Sequence, residues 1–161
     1  MALPRQLLRL LHRQLGLVAR AQVLAAGVPR ATLHAWLLRG ALEPVEWGVY
    51  RLPGTAVPKE QRILAALLRA GDRARATGWS ACALYGLEGF DLGARPWVAI
   101  PKGRRVRGVD FIVERTDLER CDLATVAGLP AVTPIRALID AAERVDAKVE
   151  RVGIDDARGA G

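Results

Sequence analysis

Apolar residues recur at helical spacing in several short stretches, and glycines and prolines separate them. Leu7, Leu8, Leu10 and Leu11 predict a first helix over Leu3–Gln14 with a broad apolar face. Arg5, Arg9 and Arg13 recur at i, i+4, i+8 on the opposite face. Gly16 breaks this helix, and Leu17-Val18 reads as a short extended link. Val23 and Leu24 then predict a helix from about Arg20 to Ala26. Gly27 stops it, because glycine accepts the left-handed backbone that ends helices. Pro29 restarts the chain with φ already set. Leu33, Trp36 and Leu37, at i, i+3, i+4, predict a second helix over Arg30–Arg39, ended by Gly40. Ala41–Val45 and Gly48–Leu52, linked around Glu46-Trp47, read as a small hairpin. Two short helices across a glycine-containing turn make a helix-turn-helix, whose second helix can enter a DNA major groove. The hairpin that follows is the wing of a winged helix, and helical packing alone does not require it.

Pro53-Gly54 to Pro58 is turn-rich and marks the expected domain boundary. The expected division is a winged helix over 1–52, a linker over 53–58 and a second unit over 59–161. In the second unit, Ile63, Leu64, Leu67 and Leu68 predict an amphipathic helix over Lys59–Ala70. Thr77 is a candidate cap for a helix running to Tyr85, with Ala81, Leu84 and Tyr85 inward. Trp97–Pro101 and Val109–Arg115 read as strands, and Lys102–Gly108 (KGRRVRG) between them as an exposed basic hairpin loop. Leu118–Pro130 suggests a further strand and turn, with Ala131-Val132-Thr133 leading into a helix. Thr133 and Pro134 suit the cap and first position of that helix. Arg136 and Asp140 lie i, i+4 on it and predict a structural ion pair. A last helix is expected over Asp146–Arg158. The fold class is α+β: a winged helix followed by a small α/β unit with a largely antiparallel sheet.

Composition narrows the function. The 161 residues carry a formal net charge of +7, which favours a polyanionic partner. The excess is uneven, with seven arginines against Glu43 and Glu46 in the first 51 residues. That is where a nucleic-acid reading wants it, and a solvated basic surface accounts for the same count. Cys82 and Cys121 form no CxxC, and neither His12 nor His34 stands at zinc-ligand spacing from them. No metal or cofactor is expected, and no catalytic constellation stands out. Leu7–Leu11 is interrupted by Arg9, so a signal peptide is not expected. No apolar run approaches a membrane span. A cytoplasmic protein is expected.

On the second helix, Arg30, Thr32, His34 and Arg39 are the candidate DNA contacts, with Arg20 and Arg51 beside them. Ala31, Ala35 and Leu38 offer little to base edges, which are read mainly by Arg, Lys, Asn and Gln. Lys102, Arg104, Arg105 and Arg107 form a second basic patch, either a phosphate contact or a solvated turn.

Three blocks carry a resemblance: GLVARAQVLAAGVPRATLHAWLLRGAL with GVYRLPG, then SACALYGL, then VTPIRALIDAA. In order and spacing they resemble the AbiEi-type antitoxins, above all actinobacterial proteins with a winged helix ahead of a second α/β domain. The resemblance implies a repressor of its own operon, binding double-stranded operator DNA. It also implies a C-terminal domain acting against a nucleotidyltransferase toxin. A homodimer follows from inverted-repeat logic. The chain departs from the family at the two helix caps, where Ala19 and Pro29 replace Ser or Thr. It departs again where Thr77-Gly78 replaces a Ser-His pair. Many relatives continue into a very-short-patch-repair-type nuclease, which these 161 residues lack. In VDFIVER, Asp110 and Glu114 resemble nuclease acids, but Thr116 stands where a lysine is needed. Two alternatives remain: an interaction module whose winged helix has left DNA, and a truncated relative of the nuclease-fused proteins.

Overall fold

The computed structural model describes residues 3–106 and 110–144. Arg107, and the helix expected over Asp146–Arg158, lie outside the described residues.

The N-terminal elements run α1 (Arg5–Arg13), β1 (Leu17–Ala19), α2 (Arg20–Ala25), α3 (Arg30–Leu38), β2 (Glu43–Glu46) and β3 (Val49–Arg51). In α1 the apolar seam is narrower than the sequence suggests. Leu7 and Leu11 are buried one turn apart, while Leu8 is 44% exposed. The stretch read as an extended link is strand β1. It pairs antiparallel with β3, which also pairs antiparallel with β2, giving the order β1-β3-β2. Three helices and a three-stranded sheet in this order are a winged helix. Its core gathers Leu7, Leu11, Val18, Val23, Val28, Leu33, Trp36, Leu42 and Tyr50.

Ala19 and Pro29 occupy the two N-cap positions and supply no side-chain cap. Pro29 therefore precedes α3 rather than opening it. At α2 the missing cap is replaced from inside the helix: Gln22 Oε1 accepts the Ala19 N–H at 2.9 Å. The Gln22 and Gln14 amides also exchange two hydrogen bonds, at 3.0 and 2.8 Å, tying the end of α1 to the start of α2.

Helix α4 (Glu60–Ala70) buries Ile63, Leu64 and Leu67. Each such side chain is worth roughly 1.5–3 kcal/mol. They share one apolar cluster with Leu17 and Val49 of the winged helix and with Val98, Ile100, Leu129 and Ala131 of the second sheet. Gln61, also buried, donates from Nε2 to the Leu15 carbonyl at 2.6 Å. The face of the three-stranded sheet is thus closed by α4.

The second sheet contains β4 (Arg75–Ala76), β5 (Trp97–Ile100), β6 (Ile112–Arg115), β7 (Leu123–Val126) and β8 (Leu129–Val132), in the order β6-β5-β4-β8-β7. It is mixed: β4–β5 and β7–β8 are antiparallel, β5–β6 and β4–β8 parallel. The basic segment is consequently not a hairpin loop. Because β5 and β6 run in the same direction, the two strands cannot be joined by a hairpin. Buried Phe111 anchors the chain just before β6.

Leu118–Pro130 likewise holds more than one strand. Ala127 and Gly128, at φ 50° and 76°, form a two-residue turn whose twist matches its flanking strands. Ala131 and Val132 lie inside β8, and residues 134–144 form the following helix, α6.

Helix α5 (Gly78–Leu84) buries Ala81, Cys82 and Ala83, with Leu84 and Tyr85 only half-buried. Thr77 is its N-cap residue, yet its side chain makes no capping bond. The buried hydroxyl instead donates to Asp140 Oδ2. Asp140 Oδ1 accepts from Arg136 Nε at 2.7 Å, so the predicted i, i+4 pair is formed. Arg136 also reaches Thr116 Oγ1 at 3.1 Å and Asp122 at 3.5 Å. The hydrogen bond to Asp140 raises its pKa above the ordinary guanidinium value. Gly78 sits at φ 46° with the Trp97 ring against it, and a Cβ there would lie 2.2 Å from Trp97 Cε3. The packing of Trp97 therefore requires glycine at this position.

Candidate nucleic-acid interface

Burying Leu33 and Trp36 turns the opposite side of α3 to solvent. Arg30, Ala31, His34, Leu38 and Arg39 are exposed, and Thr32 and Ala35 are half-buried. Arg30 opens the helix and Arg39 caps it, so the two cations bracket an uncharged centre in which Leu38 is 75% exposed. Neither arginine has a carboxylate within 4 Å among the described residues. Recognition helices contact bases mainly through their N-terminal residues. Arg30 and His34 stand where such contacts are made.

Arg20 is the exposed first residue of α2, and its backbone N–H donates to Gly48 O at 2.7 Å. This bond fixes α2 against the wing turn. Arg51 differs from the other candidates. It faces Glu43 across the β2–β3 ladder and binds it at 2.8 Å, half-buried. Its charge is already matched within the wing. At the wing tip Glu46 Oε1 accepts the Trp47 N–H, and Trp47 is 75% exposed.

The second basic patch is divided. Lys102 leans toward Asp117, 3.8 Å away, and Arg105 is exposed. Arg104 lies over Gly71 at the end of α4, where a Cβ would come within 2.3 Å of its guanidinium. A cation at the negative end of a helix is favourably placed. Arg104 and Arg20, far apart in the sequence, line the same cleft of about 690 Å³, together with Arg13, Arg69 and Trp47. The sequence reading missed Arg69 and Trp47 as site residues, and Arg13 was legible only as one step of a basic stripe.

The acids that resemble a nuclease pair are each held by arginines. Asp110 contacts Arg62 and Arg95 at 3.4 and 3.5 Å, and Glu114 contacts Arg144 at 3.2 Å. Among the described residues no group of three or more His, Cys, Asp or Glu could hold a metal ion. No described helix is long and apolar enough to cross a membrane.

A winged helix whose α3 carries exposed Arg30 and Arg39 defines the architecture, a helix-turn-helix followed by a wing. Comparison adds a likeness to a known family. Residues 5–53 match the model of the AbiEi antitoxin, a transcriptional regulator. The match takes in every element from α1 to β3, less than a third of the chain, and the winged helix is therefore similar to that of the AbiEi antitoxin regulators. No curated protein matches the chain.

Proposed function

We propose that the chain is a DNA-binding autorepressor and antitoxin that occupies the operator of its own gene. Residues 1–52 act as the reading unit, joined through 53–58 to a second unit over 59–161. The observation that carries this reading is the pair of exposed arginines, Arg30 and Arg39, at the two ends of α3, without carboxylate partners among the described residues. Arg30, Thr32 and His34 face the bases. Arg39 and Arg20 hold phosphates, and Arg51 stiffens the wing through Glu43. Two copies would read two half-sites related by a twofold axis. In the second unit, Ile135, Leu138 and Ile139 of α6 are exposed at i, i+3, i+4 and offer an apolar face for a toxin. The protein would work in the cytoplasm.

A second reading is favoured by one feature: Leu38 and Trp47, both 75% exposed, stand on the recognition helix and the wing tip. Apolar groups there suit a protein partner, and Glu46 beside Trp47 opposes phosphate.

The test is the double substitution Arg30→Ala with Arg39→Ala, measured by DNA affinity across a salt series. Loss of two phosphate or base contacts should weaken binding at least tenfold and flatten the salt slope by about 2. An unchanged affinity would mean that α3 is not the recognition helix.

A further inference from the structure

The cleft that unites Arg20 and Arg104 has features that DNA would not use. Its volume, about 690 Å³, lies in the range of small-molecule sites. One wall is α2 and the wing turn, and the other is α4 with the β7–β8 turn. Its lining is apolar at Leu24, Leu64, Leu67 and Leu68. Among the described residues, four arginines, Arg13, Arg20, Arg69 and Arg104, also line it, against one acid, Asp72. Arg13, Arg20 and Arg104 have no carboxylate within 4 Å among the described residues. A phosphodiester backbone would satisfy the arginines and leave the leucines wet. A neutral apolar molecule would fill the leucines and leave Arg13, Arg20 and Arg104 unmatched. The molecule that meets both has an anionic head and a compact apolar body.

We propose that this cleft binds an amphipathic organic anion, a carboxylate, sulfonate or phosphate carried on an aromatic or short aliphatic body. The apolar body lies against Leu24 and Leu68, and the head is held by Arg13 and Arg104. The site can be tested apart from DNA binding, since Arg13 and Arg104, unlike Arg20, carry no assigned DNA contact. Its walls come from both sides of the α4 packing, so an occupant touches the wing turn and the second sheet at once.

The test uses 8-anilinonaphthalene-1-sulfonate as the probe, titrated into the full chain by fluorescence and calorimetry. N-phenylnaphthylamine serves as the uncharged counterpart. Saturable one-to-one binding of the sulfonate, at least tenfold tighter than the neutral probe, is expected. The Arg13→Glu, Arg104→Glu double variant should lose tenfold or more for the sulfonate and leave the neutral probe unchanged. Both residues are exposed, and an unchanged melting temperature confirms the fold of that variant. Leu24→Glu, at a partly exposed position, should weaken both probes. Absence of saturable binding would overturn the proposal, as would equal affinity for the two probes. Displacement of the sulfonate by inorganic phosphate at equal concentration would also overturn it, since the leucines would then contribute nothing.

Discussion

Gly78 offers the sharpest stability prediction, because its neighbour leaves no room for a single added carbon. In Gly78→Ala the new Cβ would lie 2.2 Å from Trp97 Cε3 and 2.8 Å from Cζ3. The ring edge must move, and such overpacking costs about 1–3 kcal/mol. The backbone adds to this, because φ is 46° and a left-handed conformation costs a non-glycine residue about 1–2 kcal/mol. Reduced freedom of the unfolded chain returns about 0.4–1 kcal/mol. The net expectation is a loss of about 2–4 kcal/mol, read as a lower urea midpoint at constant m-value. In a Trp97→Val background the steric part disappears, and the same substitution should cost only about 1 kcal/mol, the backbone part alone. Equal costs in the two backgrounds would refute the steric argument. A cost below about 0.5 kcal/mol in the wild-type background would refute both parts.

Other outcomes follow from the wing and from the packing around α5. Asp140→Ala removes the acceptor shared by Thr77 and Arg136. It should cost about 2–4 kcal/mol, below the full value for a buried pair because Arg136 is partly exposed. Glu43→Gln, which loosens the Arg51 pair in the wing, should cost under about 1 kcal/mol in the same urea melts. Burial pushes the Cys82 thiol above its ordinary pKa, while Cys121 is exposed. One thiol per folded chain should therefore react promptly with an aromatic disulfide, and the second only in urea. A raised folded-state pKa means that the native state holds its proton longer than the unfolded one. Stability from Cys82 is therefore full below the ordinary thiol value of about 8.5 and declines as pH rises above it. Urea melts at pH 7.5 and 9.5 should show that decline, and Cys82→Ala should reduce it.

The winged helix was the most legible part of the chain. Its helices carry apolar pairs at turn spacing, and Gly27, Pro29 and Gly40 punctuate them. Strands β1 and β4 escaped because three and two residues are too short to display alternation. The β7–β8 hairpin was hidden because Ala127-Gly128 is not one of the strongest turn dipeptides. The parallel pairing of β5 with β6 could not be read at all, since two strands and a basic connection specify no direction. Among the candidate site residues, the exposure of Arg30 and Arg39 follows from their place on an amphipathic helix. The pairing of Arg51 with Glu43 required the wing register. That Arg20 and Arg104 share a cleft is a product of the packing of α4 against both sheets, which leaves no local trace in the sequence.

The central claim is that this winged helix reads DNA, and a salt titration tests it most directly. The duplex upstream of the chain's own gene and a scrambled duplex of equal length would be titrated side by side. The account predicts preference for the native duplex and a log–log slope corresponding to several released counterions. Weak binding without preference, at any salt concentration, would contradict it and turn Leu38 and Trp47 into the surface to pursue.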